Sequence, residues 1–281
     1  MTEFWYQEDE KSQIRVSYKI KSILFSDKSE FQTVDVVDTV AYGRMLLLDG
    51  LVMITDKDEF VYHEVIAHLP VINHPNPKKV VVIGGGDGGT VRELLKHPEI
   101  EEIVLCEIDG MVFDASRKFF PAVACGLDDQ RVKVNIGDGV AYMMDHKPGD
   151  LDIVIVDSTD PIGPGEGLFS GDFYRSVQKS LKPDGIMICQ SESMWFEPEI
   201  LQRIYRNVSA GFKHIKPFVG PVPTYPRGTW SWTMASNRSL EPREYNRQRF
   251  DRVKAGLRYL NDDVVTAGFA LPNFYAEKLK I

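Results

Sequence analysis

The chain has 281 residues, 43% of them hydrophobic and 26% charged, which supports a packed core and disfavours long disorder. Its formal net charge of −8 speaks against a nucleic-acid partner, because phosphate binding needs a basic face. A surplus of carboxylates suits a cationic ligand, although mild acidity also serves solubility alone.

Met1 to Lys11 is polar and acidic, without the basic-then-apolar pattern of a leader. No apolar run approaches the roughly 20 residues that span a bilayer. The cysteines Cys106, Cys125 and Cys189 form no spaced cluster, and their odd number argues against a disulfide framework. The expectation is a cytoplasmic protein with neither a membrane nor a nucleic-acid partner.

Arg15 to Phe25 alternates as a strand, with Val16, Tyr18, Ile20 and Ser22 on one face, and a second strand is expected near Phe31 to Val37. Gly43 to Leu48 and Leu51 to Thr55 flank Asp49-Gly50, the turn pair of a type I′ hairpin. A helix from Asp58 to about Leu69 follows, with Asp56 or Asp58 as cap. Asn73 to Pro77 carries Pro75 and Pro77 and reads as a linker. The division expected is residues 1–72, an antiparallel β domain with a linking helix, and residues 73–281, a catalytic α/β domain.

From Lys79 short apolar runs alternate with helical segments. The strands expected are Val80 to Ile83, Ile103 to Cys106, Val132 to Ile136, Ile153 to Val156 and Ile186 to Cys189. Helices are expected over Thr90 to Lys96 and Met111 to Phe120. Such an alternation predicts parallel strands covered on both faces in a doubly wound sheet. Phe218 to Val222 and Trp230 to Ala235 would form its antiparallel end.

Gly84, Gly86 and Gly89 fit G-x-G-x-x-G between a strand and a helix, a loop that lets a nucleotide approach the backbone. Glu107 ends the next strand, where an acid takes ribose hydroxyls. Asp138-Gly139 follows the third strand and Asp157 ends the fourth, so acids gather on the crevice where open α/β sheets bind ligands. An NAD-dependent oxidoreductase would share the loop and Glu107. It would gain little from Asp87, whose carboxylate would meet an anionic pyrophosphate. Asp87 suits a ligand with a cationic tail, such as an adenosyl sulfonium.

The segment from Asp157 to Phe169 carries Asp157 and Asp160, Pro161 and Pro164, and glycines at 163, 165 and 167. Those are turn residues. The segment is nonetheless longer than a simple strand-to-helix connection needs, and it reads as a lid at the catalytic edge.

Taken together, Gly84-Gly-Gly-Asp-Gly-Gly89, Glu107-Ile-Asp109, Gly137-Asp-Gly139, Asp157-Ser-Thr-Asp-Pro-Ile-Gly-Pro164 and Pro223-Thr-Tyr-Pro226 resemble the polyamine aminopropyltransferases, specifically the spermidine synthases. Asp49-Gly50, Asp58-Glu59-Phe60 and Tyr62-His63-Glu64 match as well, so the likeness covers nearly the whole chain. The resemblance implies a Rossmann-like, methyltransferase-type sheet behind a small antiparallel β domain, in a homodimer or homotetramer. It implies transfer of an aminopropyl group from decarboxylated S-adenosylmethionine, a co-substrate, to putrescine, giving spermidine and methylthioadenosine without a prosthetic group or metal.

By the same resemblance, Glu107 and Gln32 would hold the ribose, Asp138 and Gly139 the adenine, and Pro164 the nucleoside from the lid. Gly84 and Gly86 would border it, and Asp87 would bind the aminopropyl ammonium. Asp157 would accept the proton, with Tyr62, His63, Asp160 and Tyr225 along the diamine channel. Met53 stands where the family commonly has glutamine and is read as packing of the hairpin. Trp5 either packs over the diamine or anchors the terminus, and Glu192 either faces the pocket or caps the next helix. The rivals are a putrescine N-methyltransferase, an aminopropyltransferase with another amine acceptor, and a non-catalytic polyamine-binding protein.

The residue types fit that chemistry. A sulfonium already activates the neighbouring carbon, so the enzyme must present a neutral amine in line. A primary amine has a free pKa of about 10.4, so deprotonation at pH 7 costs about 4.6 kcal/mol, and a carboxylate can take the proton. The α-carboxylate of ordinary S-adenosylmethionine would be repelled by Asp87, at on the order of 4 kcal/mol for charges about 4 Å apart. Asp87→Asn is therefore expected to narrow the affinity ratio between the two cofactors. An unchanged ratio in competition binding would refute this charge argument.

Overall fold

The computed structural model describes residues 3–10, 14–161, 163–195, 197–225 and 228–280, with backbone alone at residues 10 and 164. Ile162 and Pro226, members of two of the motifs above, lie outside the described residues, as does the side chain of Pro164.

The N-terminal unit is an antiparallel sheet of β1 (Phe4–Glu10), β2 (Ile14–Lys28), β3 (Thr33–Thr39), β4 (Gly43–Leu48) and β5 (Leu51–Thr55), paired in chain order. The β4–β5 hairpin turns on Asp49 at φ 48° and Gly50 at φ 87°, both left-handed as a type I′ turn requires. The Asp49 carboxylate accepts from the Thr33 N–H at 2.8 Å and ties the turn to β3. Strand β1 was not expected, because its inward alternation is Tyr6 and Glu8 rather than two apolar residues. Glu8 is buried and accepts from the Val52 N–H at 2.9 Å, so a carboxylate fills the place of a core side chain.

Helix α1 (Glu59–Asn73) runs beyond the expected end, through Pro70. Neither expected cap acts as one. Asp56 pairs with the Arg44 guanidinium at 2.9 Å. Asp58 sits at the N-cap but its buried carboxylate accepts from the Thr55 hydroxyl at 2.5 Å and from the Thr224 N–H and hydroxyl at 2.9 and 2.6 Å. Val65, Ile66, Leu69 and Ile72 of α1 pack with Val80, Val82, Ile153 and Ile155, so this helix covers the parallel sheet.

That sheet consists of β6 (Lys79–Gly84), β7 (Glu102–Glu107), β8 (Val132–Ile136), β9 (Leu151–Asp157), β10 (Leu181–Gln190), β11 (His214–Pro221) and β12 (Thr229–Ser236). Among the described residues their order is 11-12-10-9-6-7-8, with β6 to β10 parallel and β12 antiparallel to both neighbours. Helices α2 (Gly89–Leu94), α3 (Gly110–Phe119), α4 (Gly139–Asp145), α5 (Gly171–Ser180) and α6 (Pro198–Ser209) follow successive strands. Alternate residues point to opposite cores: Val80, Val82 and Leu105 to one, Val81, Ile83 and Cys106 to the other. Strand β8 departs from the expected two-sided burial. It is the sheet edge, and Val134 and Ile136 stay 37% and 50% exposed.

Beyond Ser236, where no elements were expected, lie α7 (Arg247–Val253), α8 (Asp262–Gly268) and α9 (Asn273–Leu279). The buried Glu64 of α1 accepts from the Arg258, Tyr259 and Leu260 N–H groups at 2.7, 2.9 and 2.9 Å, fastening the loop before α8.

The β meander is fixed to the α/β unit by polar bonds at several points. Ser29 Oγ and Gln32 Nε2 donate to Asp109 at 2.8 and 3.0 Å, and Tyr18 donates its hydroxyl to the Thr224 carbonyl at 3.0 Å. Asp58 completes this set through Thr224. Its replacement by Ala strands a buried N–H and two hydroxyls, so urea denaturation should find Asp58→Ala less stable by about 2–4 kcal/mol. A loss below about 0.5 kcal/mol would mean that these bonds contribute nothing net.

Candidate active site

Strand order reverses between β6 and β9, and a crevice opens at such a point beyond the carboxyl ends of the strands. A cavity of about 210 Å³ lies there, roofed by Phe31, Gln32, Leu48 and Met53 of the N-terminal unit. The expected residues Gly84, Gly86, Asp87, Glu107, Asp138, Gly139, Tyr62, His63, Asp157, Asp160 and Tyr225 all line it, as does Gln32.

The glycine loop is shaped by its own neighbours. Gly84 has φ +79° and pairs with Asp157 across β6 and β9, where a Cβ would come within 2.2 Å of the Asp157 carbonyl. At Gly86 a Cβ would lie 2.8 Å from the Glu107 side chain. The Gly86 N–H instead donates to Glu107 at 3.1 Å, and the Asp109 N–H donates to its other oxygen at 2.9 Å. Burial pushes the Glu107 carboxyl up to about 7, against the pull of those two N–H groups. Asp109 caps α3 through the Met111 N–H and Asp138 caps α4 through the Val140 N–H, at 2.9 and 2.7 Å. Asp138 is exposed at the cavity rim and Gly139 is buried beneath it.

Asp87 accepts from the Gly89 N–H at 2.7 Å and faces His63 Nε2 at 3.1 Å. His63 Nδ1 faces Glu59 at 2.6 Å, so both ring nitrogens are engaged. Burial opposes charge on this ring, but the two carboxylates outweigh it and hold the imidazole protonated well above its ordinary range. Burial likewise raises the Asp87 carboxyl, and the His63 charge and Gly89 N–H overcome it, leaving Asp87 more acidic than usual.

Asp157, at the end of β9, accepts from the Thr90 hydroxyl at 2.6 Å. Burial first, and then the charge of Asp87, raise its proton affinity. The Tyr62 ring stands 5.6 Å from Trp232 and 6.3 Å from Tyr225, whose hydroxyl donates to the Met53 carbonyl at 3.1 Å. Beside these residues a branch of about 50 Å³ leaves the main cavity, sharing Met53, Tyr62, Asp160 and Tyr225 and adding Glu8, Gln190 and Trp230. Gln190 donates to the Ser158 and Thr159 carbonyls at 3.4 and 3.3 Å and steadies the acidic loop.

Sequence reasoning missed Glu8, whose only signal was its place two residues after Tyr6 in an alternating strand. Met53, expected to pack within the hairpin, does pack against the cluster of Val36, Leu46, Leu48 and Ile54 but also lines both the cavity and its branch. Trp5 is 53% exposed and lines neither. Glu192 is buried at φ 68° and lines neither, and α6 begins after Glu197 rather than from a Glu192 cap.

The family model described as the spermine/spermidine synthase domain matches residues 59–246, and the spermidine synthase tetramerisation domain matches residues 4–56. A polyamine aminopropyltransferase of Shouchella clausii is 42% identical over 278 residues, 99% of this chain and all of that protein. One of Clostridium kluyveri is 43% identical over 272 residues, 97% of this chain and 98% of the other. A solved spermidine synthase in complex with the transition-state analogue AdoDATO superposes with a TM-score of 0.95 at 38% identity, over 99% of this chain and 95% of the other. The spermidine synthase of Thermotoga maritima gives 0.92 at 37%, over 99% and 94%.

The Glu107 environment has a direct readout. A carboxyl raised from 4.5 to about 7 in the folded protein favours folding below pH 4.5, and that contribution is lost as pH rises through 7. Carbon-13 titration of the ligand-free protein should place the Glu107 midpoint near 7, and Glu107→Gln should flatten stability between pH 5 and 7. A midpoint below about 5 would show the carboxyl to be solvated.

Proposed function

The chain belongs to the spermine/spermidine synthase family of polyamine aminopropyltransferases, and from that membership we propose that it moves the aminopropyl group of decarboxylated S-adenosylmethionine onto putrescine. The products are spermidine and methylthioadenosine. One observation carries this reading: Asp87 and Asp157, two carboxylates of opposed proton affinity, face one cavity with an acid-lined branch.

In this reading the nucleoside lies over the glycine loop. Glu107 accepts from the ribose hydroxyls with Gln32 beside it, Asp138 and Gly139 border the adenine, and Pro164 closes over it from the lid. Asp87 takes the ammonium of the aminopropyl tail. The diamine enters along Tyr62, Asp160 and Tyr225, with its reacting nitrogen at Asp157 and His63 behind Asp87. The nitrogen lone pair forms the new bond to the carbon next to sulfur. The carbon–sulfur pair leaves with sulfur, which becomes a neutral thioether, and the nitrogen proton passes to Asp157. A carboxylate whose proton affinity is raised by burial is suited to that task.

Glu8 and Asp160 along the branch supply carboxylates for the far ammonium of a diamine, which supports a diamine acceptor. A methyl-transferring rival would place the carboxylate of S-adenosylmethionine beside Asp87, which disfavours it. We also propose an oligomer built on the N-terminal unit, a homodimer or homotetramer, in the cytoplasm. The match to a tetramerisation domain and the exposure of Phe4, Trp5, Ile23 and Leu24 there support the assembly.

Incubation of the protein with decarboxylated S-adenosylmethionine and a panel of amines, with products weighed by mass spectrometry, should give spermidine from putrescine. Product from ordinary S-adenosylmethionine alone would overturn the reading. Asp157→Asn should lower turnover by roughly 10²–10⁴-fold while methylthioadenosine still binds. Near-normal turnover in that variant would mean that another group takes the proton.

A further inference from the structure

Behind Asp87 the cavity wall continues as a row of alternating charges. Asp87 faces His63 at 3.1 Å and His63 faces Glu59 at 2.6 Å. Arg92 of α2 grips both Glu59 oxygens at 3.0 and 2.9 Å and reaches Glu93 at 2.9 Å. Glu93 in turn meets Lys96 and the buried His68. His63 and Asp87 line the cavity, whereas Glu59 and Arg92 do not.

A row of buried charges could serve as a staple between α1 and α2 and nothing more. Two observations give it a further task. Gly89 has no side chain where a Cβ would lie 2.3 Å from the His63 ring, so the start of α2 is shaped to admit that ring. The row also ends on Asp87, a mostly buried carboxylate that shares its cavity with the buried Asp157 and Glu107. Two such groups in a low dielectric share one proton unless a cation stands beside them.

His63 is the nearest cation. It is faced by Glu59 from its own helix, by Asp87 from the loop after β6 and, through Asp87, by Asp157 from β9. The Tyr62 ring lies edge-on at 5.6 Å, Tyr225 lies beyond it, and Glu107 and Asp160 sit farther along the same wall. A neutral imidazole could donate to Asp87 equally well. Glu59 on the second nitrogen is what favours the doubly protonated ring, and Arg92 keeps Glu59 itself ionised.

Building on the aminopropyl-transfer reading, we propose that Glu59 and Arg92 are positioning residues that fix His63 as a permanent cation and so keep Asp87 and Asp157 ionised together. Both carboxylates are needed in that state, one to hold the ammonium tail and one to receive the proton.

The test removes the pair without stranding a charge. Glu59→Gln/Arg92→Met leaves Glu93 its His68 and Lys96 partners, and replacing both members of a buried pair is often near neutral for folding. Its melting and its methylthioadenosine affinity should match those of the wild type. The acidic limb of kcat/KM should move up by roughly one pH unit, about a tenfold loss on the acid side, and rejoin the wild type at high pH. An unmoved limb, or an equal loss at every pH, overturns the proposal. If the double variant does not fold, nitrogen-15 spectra of the wild type decide it: both His63 nitrogens should stay protonated at pH 8, and a neutral ring there overturns it. Absence of aminopropyl product from the wild type would refute the function reading alone, because the state of the His63 ring is read without turnover.

Discussion

Carboxylates held out of water beside one another are the constraint on which this site depends. Glu107, Asp87 and Asp157 sit at or just beyond the ends of three adjacent parallel strands, where chain geometry brings them to one cavity. Each is compensated differently. Glu107 takes two backbone N–H groups, Asp87 an imidazolium and one N–H, and Asp157 the hydroxyls of Thr90 and Tyr62. Their proton affinities diverge accordingly, with Asp87 held down and Glu107 and Asp157 pushed up. One cavity can thereby hold a fixed anion beside a group ready to take a proton.

The same constraint explains the glycines. G-x-G-x-x-G is usually read as room for a ligand. Here room is needed first by the protein: Gly84 against the Asp157 backbone, Gly86 against Glu107 and Gly89 against His63. The loop runs this close to the cavity because the acids and the imidazolium beside it are packed against bare backbone.

The β meander completes the cavity rather than decorating it. Gln32, Leu48 and Met53 form its roof, and Glu8 brings a carboxylate to the branch. These positions are held by Asp109 accepting from Ser29 and Gln32, by Asp58 bridging Thr55 and Thr224, and by the Tyr225 hydroxyl on the Met53 carbonyl. Apart from Thr55 with Asp58, these bonds join residues far apart in sequence, so the meander and the α/β unit frame the cavity together.

Local pattern alone determined much of this protein. Asp49-Gly50 specified its hairpin because few other residues adopt two successive left-handed conformations. The apolar runs from Val80 onward specified a parallel sheet because a strand buried on both faces leaves no polar alternation. The strand-end acids were legible because strand polarity places them on one side. Other features were silent. Strand β1 is hidden because Glu8 occupies a core position, and Asp58 looks like a helix cap until Thr224, distant in sequence, is folded against it. The sequence also contains His63, Glu59 and Arg92 without showing their order in space. Only packing of α1 on α2 aligned them behind Asp87, because a buried charge takes its meaning from neighbours that chain proximity does not supply.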